Sequence, residues 1–252
     1  MNLFKEKTLI EQSDEPVRKM LKTWHELCIQ KVSFDIEVLV GNRKDNKDLS
    51  HFRGELNTAY PHLIENEVRL VLWLDSFSNV DRRIITHELG HWVLNLKGYR
   101  SLIYKDDRNL DIFLNSLCSH PQLYSLQKSL GHNPQDIIDD RAKSNIDVFK
   151  KDKEPTNKTL IIKNALILAD DFINCSENVK KNLTVALFYN HQSTLKLVNK
   201  IVKLKQYYDL THVSKNFNFM KKIIQIINLD IGKWLENDNI KELKELYNKS
   251  KA

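Results

Sequence analysis

Residues 84–98 carry the pattern that most restricts how this chain can fold. They read Ile-Ile-Thr-His-Glu-Leu-Gly-His-Trp-Val-Leu-Asn-Leu-Lys-Gly and contain His87-Glu88-x-x-His91. In an α-helix, His87 and His91 lie one turn apart and about 40° from each other around the axis, so both imidazoles can converge on one metal ion. Glu88 lies about 100° from His87, near such an ion without having to bind it. The stretch predicts a helix that can hold a metal beside a carboxylate.

The flanking sequence predicts where this helix begins and ends. Ser78 and Asp81 are spaced like a capping box, with a hydroxyl at the N-cap and an acid three residues later. Gly98 stands where a glycine would end the helix. Apolar residues at helical spacing form a stripe on a different face from the motif: Ile85, Leu89, Trp92 and Leu96. Because these signals agree on one helix, we prefer it to a solvated face that carries His and Glu by accident.

The preceding residues predict a small sheet. Helical periodicity runs through residues 15–30, and residues 34–40 alternate well enough to form a strand. Residues 53–60 read as an edge strand that Pro61 ends. Residues 68–75 are a nearly continuous apolar run, which is typical of a strand buried on both faces. The expected order is helix, strand, edge strand, strand, motif helix.

This order and the His87-Glu88-x-x-His91 helix resemble the catalytic core of the zincin metallopeptidases. The resemblance covers about residues 15–150, and only the motif helix is specific. It implies an α+β fold in which a small mixed sheet and active-site helices form a zincin-like core. It also implies a zinc ion on His87 and His91. In that superfamily the edge strand commonly aligns an extended peptide substrate through main-chain hydrogen bonds. Intracellular regulators of the ImmA/IrrE type are a looser likeness, since they too place such a helix after a short sheet.

The chemistry implied by the resemblance is metal-assisted hydrolysis. Zinc lowers the pKa of its bound water to roughly 7, and Glu88 accepts the proton as that water attacks a carbonyl. Glu88 then delivers a proton to the leaving amine. We therefore expect a zinc metallopeptidase that acts on a peptide or protein. The alternative is a non-catalytic, metal-holding scaffold that binds a protein or nucleic acid, but a scaffold has no use for a general base at Glu88.

A catalytic zinc usually takes a third protein ligand and keeps one position open for water. Here the chain departs from the common patterns of the superfamily. No glutamate occurs from residue 89 to residue 153, so the gluzincin ligand has no local counterpart. Leu94 and Lys97 replace the glycine and the third histidine of the metzincin extension. The remaining candidates are Asp106, Asp107, Asp111, His120, His132 and the aspartates from 136 to 140.

We expect His120 to be the third ligand. Residues 110–119 read as a second helix, which His120 closes immediately before Pro121. Zincins usually keep the third ligand on such a helix. Asp111 is the alternative ligand, two to three turns earlier, and His132 reads as a turn residue. His120 could instead be an ordinary histidine at the C-terminal end of a helix, where it interacts with the helix dipole.

Tyr124 follows His120 by four residues and could donate its phenolic hydroxyl to the oxyanion of the transition state. Tyr99 and Tyr104 compete for this catalytic role, and all three could simply be packing residues. Cys118 lies near His120, but a buried helix cysteine is the better interpretation.

Charged residues are distributed unevenly along the chain. Residues 1–150 hold 21 Lys and Arg against 22 Asp and Glu, whereas residues 151–252 hold 18 against 11. We expect a metallopeptidase core over 1–150 and a basic, all-helical C-terminal region over 151–252. Its helices are expected at residues 160–175, 179–189, 195–208, 217–229 and 231–247.

The basic helices could contact an acidic partner. Nucleic acid is the less favoured partner, because Lys, Asn and Ile abound throughout the chain. No run approaches 18 apolar residues, so no membrane is expected. Three cysteines without an export signal fit a cytoplasmic protein.

Overall fold

The structure is a computed structural model that describes residues 3–46, 57–75 and 80–251. It is a mixed α+β fold with a small mixed sheet of four strands and a helical C-terminal region, as predicted. It also has a two-stranded sheet that was not predicted, and one strand of that sheet lies in the C-terminal region expected to be all-helical. In chain order the elements are β1 (Leu3–Phe4), α1 (Glu6–Glu11), α2 (Glu15–Val32), β2 (Val38–Asn42), β3 (Thr58–Ile64), β4 (Glu67–Leu74), α3 (Arg82–Leu96), β5 (Ser101–Tyr104), α4 (Arg108–Leu130), α5 (Gln135–Lys151), α6 (Lys158–Asn174), α7 (Glu177–Asn190), α8 (Gln192–Lys205), α9 (Val213–Ile226), β6 (Trp234–Asn237) and α10 (Asn239–Lys251). None of the described helices combines the length and apolarity needed to cross a bilayer.

The first of two compact units comprises residues 1–98, 125–133 and 238–252. Its sheet has the strand order β1-β2-β4-β3, in which β2 and β4 run parallel and the other neighbours antiparallel. Alternate residues of a strand point to opposite faces, and those of β2 and β4 on one face pack with α2, α3 and α10. On the other face Leu39, Val71 and Trp73 form a smaller cluster. Both faces of the central strands are therefore buried, which explains the continuous apolar run of β4.

Two tryptophans connect the helices of this unit to its sheet. Trp24 of α2 is fully buried, and its indole N–H donates to the Ile36 carbonyl at 2.8 Å. Its ring meets Trp92 of α3 edge-on, with centroids 6.5 Å apart. Trp92 in turn donates to the Ala59 carbonyl of β3 at 2.8 Å. These contacts set the position of α3 relative to the edge strand.

The second unit comprises residues 99–124 and 134–237. Its core is a single apolar cluster that draws on α4 to α9 and on the β5–β6 pair. The boundary at residue 150 that the charge distribution suggested falls inside this unit, within α5.

The prediction of a helix over 231–247 was wrong. Residues 231–233 form a 3₁₀ turn, residues 234–237 form β6, and the helix begins only at Asn239. Strand β6 pairs antiparallel with β5, so that Tyr104 lies opposite Trp234, with ring centroids 4.7 Å apart. Backbone pairing with a strand 130 residues away in the chain overrides the local helical spacing.

Two smaller predictions at element ends need correction. Ser78 lies outside the described residues, and the N-cap of α3 is Asp81, whose carboxylate accepts the Arg83 N–H at 2.9 Å. Pro61 does not end the edge strand but lies inside β3, opposite Leu70. An edge strand tolerates proline, because one row of its N–H groups has no ladder partner. The other end of α3 is as predicted, since Gly98 follows it with a φ of 93°.

Candidate metal centre

Helix α3 presents the motif on the side opposite its buried stripe. Ile85, Leu89 and Leu96 are essentially inaccessible to solvent, so they fix which face of the helix points outward. His87 and His91 lie on that outer side and are partly exposed. Their rings are roughly perpendicular, with centroids 4.9 Å apart. The motif therefore offers two imidazoles at one place on the helix, as its spacing predicted.

His120 lies inside helix α4, not at a helix end. The prediction that Pro121 would stop the helix was wrong, because α4 continues from Arg108 to Leu130 with Pro121 in its interior. Interior proline removes a hydrogen bond and costs about 3 kcal/mol. Burial of Leu117 before it and of Leu123 and Tyr124 after it offsets that cost. A mid-helix histidine does not interact with the C-terminal dipole, so that alternative for His120 is excluded.

The last two turns of α4 belong to the first unit and contact α3. Seven residues after His120, Gln127 donates from Nε2 to the Arg83 carbonyl at 2.8 Å and to Thr86 Oγ1 at 2.9 Å. Residues seven apart lie on the same face of a helix, two turns along it. His120 and Gln127 therefore point the same way, and Thr86 immediately precedes His87.

The structure brings together the three histidines that the sequence analysis selected. One ligand atom from each of His87, His91 and His120 lies within 4.8 Å of the other two, and His120 is the buried member. Structural and catalytic zinc ions take imidazole nitrogens at about 2.0–2.1 Å.

The other candidate ligands have different partners. Asp111 is buried and accepts the Tyr104 N–H at 3.1 Å, and it is not part of the group that the three histidines form. His132 is in the predicted turn, but it is buried between Thr86 Oγ1 at 2.9 Å and the carboxylate of Asp14 at 2.6 Å. Four of the remaining aspartates form salt bridges or cap neighbouring helices: Asp106 with Lys233, Asp107 with Lys163, Asp139 with Ser176 and Asp140 with Lys143.

Glu88 follows His87 on the same helix, and the pKa of its carboxyl is raised. Among the described residues it forms no salt bridge and no side-chain hydrogen bond. Desolvation by burial raises its pKa to about 8. A cation held by the neighbouring histidines would lower that pKa again by attraction. A carboxyl with these surroundings can exchange a proton near neutral pH, which is what a general base requires.

A buried carboxylate is hydrogen-bonded to Nδ1 of His120. Asp170 of α6 places Oδ2 2.6 Å from His120 Nδ1. Although burial opposes its ionisation, the His120 ring and the Arg141 guanidinium lower the pKa of Asp170 to about 2. Asp170 was missed in the sequence analysis. The detectable signal was a pair of adjacent acids, Asp170 and Asp171, that directly follows the apolar run of residues 165–169 in α6.

Arg141 of α5 links the two buried acids. Its Nη2 donates to Asp170 Oδ2 at 2.9 Å, and its Nε donates to Asp171 Oδ1 at 2.9 Å. Asn145, one turn further along α5, donates to the other oxygen of Asp171 at 2.6 Å. These contacts satisfy charges that would be costly to bury alone.

Tyr124 lies against His120, with ring centroids 5.1 Å apart. Its hydroxyl oxygen accepts a hydrogen bond from Nη1 of Arg141 at 3.2 Å, and burial raises its pKa. Tyr124 therefore contacts both His120 and Arg141, the residues that also contact Asp170. The competing Tyr99 donates its hydroxyl to the Thr211 carbonyl at 2.7 Å.

Comparisons with protein-family models, with curated proteins and with solved structures find nothing that matches this chain.

The donor set fits zinc better than magnesium or calcium. Three imidazoles with no carboxylate in the group suit a transition metal such as zinc, whereas magnesium and calcium prefer oxygen ligands. Catalytic zinc sites commonly have three protein ligands and a water, so three histidines would suffice to hold the ion. The nearby Cys118 is fully buried, and burial raises the pKa of its thiol, so it is a poor thiolate donor.

Proposed function

We propose that this protein is a zinc-dependent metallopeptidase in which His87, His91 and His120 hold the ion. The observation that carries the proposal is the close approach of these histidines next to Glu88. A scaffold that only held a metal would need the histidines alone. The half-buried carboxyl on the same helix supports a hydrolytic role.

In the proposed amide hydrolysis, the metal and Glu88 have separate roles. When bound, zinc supplies Lewis acidity, which polarises a carbonyl and makes water acidic enough to lose a proton near neutral pH. Glu88 accepts the proton from the attacking water. It then passes a proton to the leaving amine, so that the same carboxyl acts first as base and then as acid.

The edge strand β3 is the proposed docking place for the substrate backbone. Within the described sheet its only strand neighbour is β4, and Tyr60 and Leu63 are exposed on it. An extended peptide could add to this edge by main-chain hydrogen bonds, which tolerate varied side chains. The Trp92–Ala59 hydrogen bond connects that edge to the helix that carries the motif.

The test combines metal content with cleavage of a peptide library. Zinc per chain is measured by elemental analysis after purification without chelator, for wild type, Glu88→Gln and the control Glu26→Gln. Glu26 lies on the solvent side of α2 and is largely exposed. The same proteins are incubated with a proteome-derived peptide library, and new termini are identified by mass spectrometry.

We expect about one zinc per chain in all three proteins, because Glu88 is a base and not a ligand. Cleavage should require zinc and should disappear only in Glu88→Gln. Failure of wild type to bind zinc, or equal cleavage by Glu88→Gln, would overturn the proposal. Stoichiometric zinc without any cleavage would favour the non-catalytic scaffold.

A further inference from the structure

We propose that Asp170 and Arg141 are positioning residues that determine which nitrogen of His120 is presented to the metal and in what orientation. The inference rests on the proposed zinc site and deepens it. It assigns functional roles to α5 and α6, two helices outside the sequence motif. All residues in the chain of contacts lie in the second unit.

The first step concerns the tautomer of His120. Its Nδ1 lies 2.6 Å from Asp170 Oδ2, and an ionised carboxylate can only accept a hydrogen bond. Nδ1 therefore carries a hydrogen, which leaves the lone pair of a neutral imidazole on Nε2. Nε2 is then the nitrogen whose lone pair could bind a metal. A hydrogen bond of this kind also makes the ring a better ligand.

The second step concerns Asp170, which is held from several directions. Besides His120, Arg141 Nη2 donates to Oδ2 at 2.9 Å, and Asn174 Nδ2 donates to Oδ1 at 2.7 Å. All three neighbours are donors. Because both oxygens are taken by donors, the carboxylate plane cannot rotate without losing a hydrogen bond, and the His120 ring is held with it.

The third step concerns charge. Asp170 and Asp171 are buried and share one guanidinium, that of Arg141. The Asp170 carboxylate lies against the Nδ1 side of the His120 ring. A cation at the Nε2 side of the same ring would be attracted to that carboxylate, so Asp170 would favour a metal there by charge as well as by orientation.

A substitution of Asp170 by asparagine probes this arrangement with little change in volume. The amide carries an NH₂ group where the carboxylate had a second acceptor. In either amide orientation this NH₂ faces a donor, from Asn174 in one case and from His120 and Arg141 in the other. The hydrogen bond that holds Nδ1–H is weakened or lost.

Asp171→Asn is the matched control. It removes the same charge one residue further along α6, from a side chain that contacts Arg141 and Asn145. Asp170, not Asp171, is the acid hydrogen-bonded to His120. A general effect of buried charge on the fold would appear in both variants, whereas an effect on the ligand should be larger for Asp170→Asn.

The experiment uses full-length wild type, Asp170→Asn, Asp171→Asn and Arg141→Lys. Zinc affinity is measured by competition with a chromophoric chelator. The His120 tautomer is read in zinc-free protein from two-bond ¹H–¹⁵N correlations, assigned with His120→Ala. Arg141→Lys keeps the charge but loses the planar fork that reaches both acids, so it serves if Asp170→Asn does not fold.

We expect Asp170→Asn to weaken zinc binding by roughly 10- to 100-fold, as loss of such a partner usually does. Arg141→Lys should weaken it less, and Asp171→Asn least. Wild type should show the Nδ1–H tautomer, and the share of that tautomer should fall in Asp170→Asn, because a neutral amide oxygen accepts from Nδ1–H more weakly than a carboxylate. Equal zinc affinities and an unchanged tautomer in Asp170→Asn would overturn the inference, as would an equal loss in Asp171→Asn.

The readouts separate this inference from the proposed function. A wild-type protein without zinc affinity would refute the metallopeptidase. The tautomer in zinc-free protein would then still decide whether Asp170 sets the state of His120.

Discussion

The stability of the first unit should fall as pH rises above neutrality, because a histidine links three of its elements. His25 of α2 places Nε2 2.7 Å from Glu6 of α1 and Nδ1 2.5 Å from Asp35, just before β2. The other oxygen of Glu6 accepts the Val38 N–H at 2.7 Å. The hydrogen bond to Glu6, which burial opposes and Asp35 reinforces, raises the pKa of His25 to about 9.

The sign and size of the effect follow from this pKa. The folded protein holds the proton more tightly than the unfolded chain, whose histidine has a pKa of 6.5. The contribution to stability is therefore complete below about pH 6.5 and is lost as pH rises through about 9. At 1.36 kcal/mol per pKa unit the shift corresponds to about 3.4 kcal/mol at most. Because the side chain retains 28% exposure, solvent screening should reduce this to about 1–2 kcal/mol.

The assay is urea unfolding of wild type and His25→Gln in buffers from about pH 6 to about pH 10. Other groups titrate in this range, but they do so in both proteins and cancel in the difference. His212→Gln is the control, since His212 is largely exposed and 3.7 Å from its acid partner. The advantage of wild type over His25→Gln should shrink by about 1–2 kcal/mol between the two ends of the range. A difference that stays constant with pH would refute the assignment of a bridging imidazolium.

Two further predictions test the ligand set and the sheet. His120→Ala should weaken zinc binding by roughly 10- to 100-fold or more, since a lost ligand should cost at least as much as a lost hydrogen-bond partner of a ligand. The control His212→Ala changes an exposed histidine and should leave zinc affinity unchanged. Competition with a chelator measures both affinities, and equal values would mean that another residue is the third ligand. Gly41→Ala should destabilise the protein by about 1–3 kcal/mol in urea unfolding, because its new Cβ would lie 2.5 Å from Cζ3 of the buried Trp73, and unchanged stability would contradict this packing.

The local pattern was sufficient for the motif helix. The spacing of His87, Glu88 and His91 requires only that residues four apart share a helix face, and the apolar stripe determines which face is buried. Gly98 ends the helix for a local reason as well, since glycine adopts a positive φ without strain. Strands β2 and β4 were predictable from their apolar patterns. Such features depend only on residues that are close to each other in the sequence.

The continuation of α4 past Pro121 could not be predicted in this way. Proline next to a histidine reads locally as a helix end. Whether the helix continues depends on how much apolar surface the following turns bury, and the sequence near Pro121 does not contain that information. Strand β6 is a similar case, because its partner β5 lies 130 residues earlier.

The amino-acid sequence by itself determined the motif helix, the apolar central strands and the choice of His120 as a candidate, because these follow from periodicity and side-chain chemistry along the chain. Only the tertiary structure decided that His120 approaches His87 and His91, and that Asp170 and Arg141 lie behind it. His120 and Asp170 are 50 residues apart in the chain. Contacts at such separations depend on the packing of whole helices, and no local pattern specifies which buried acid will meet which imidazole.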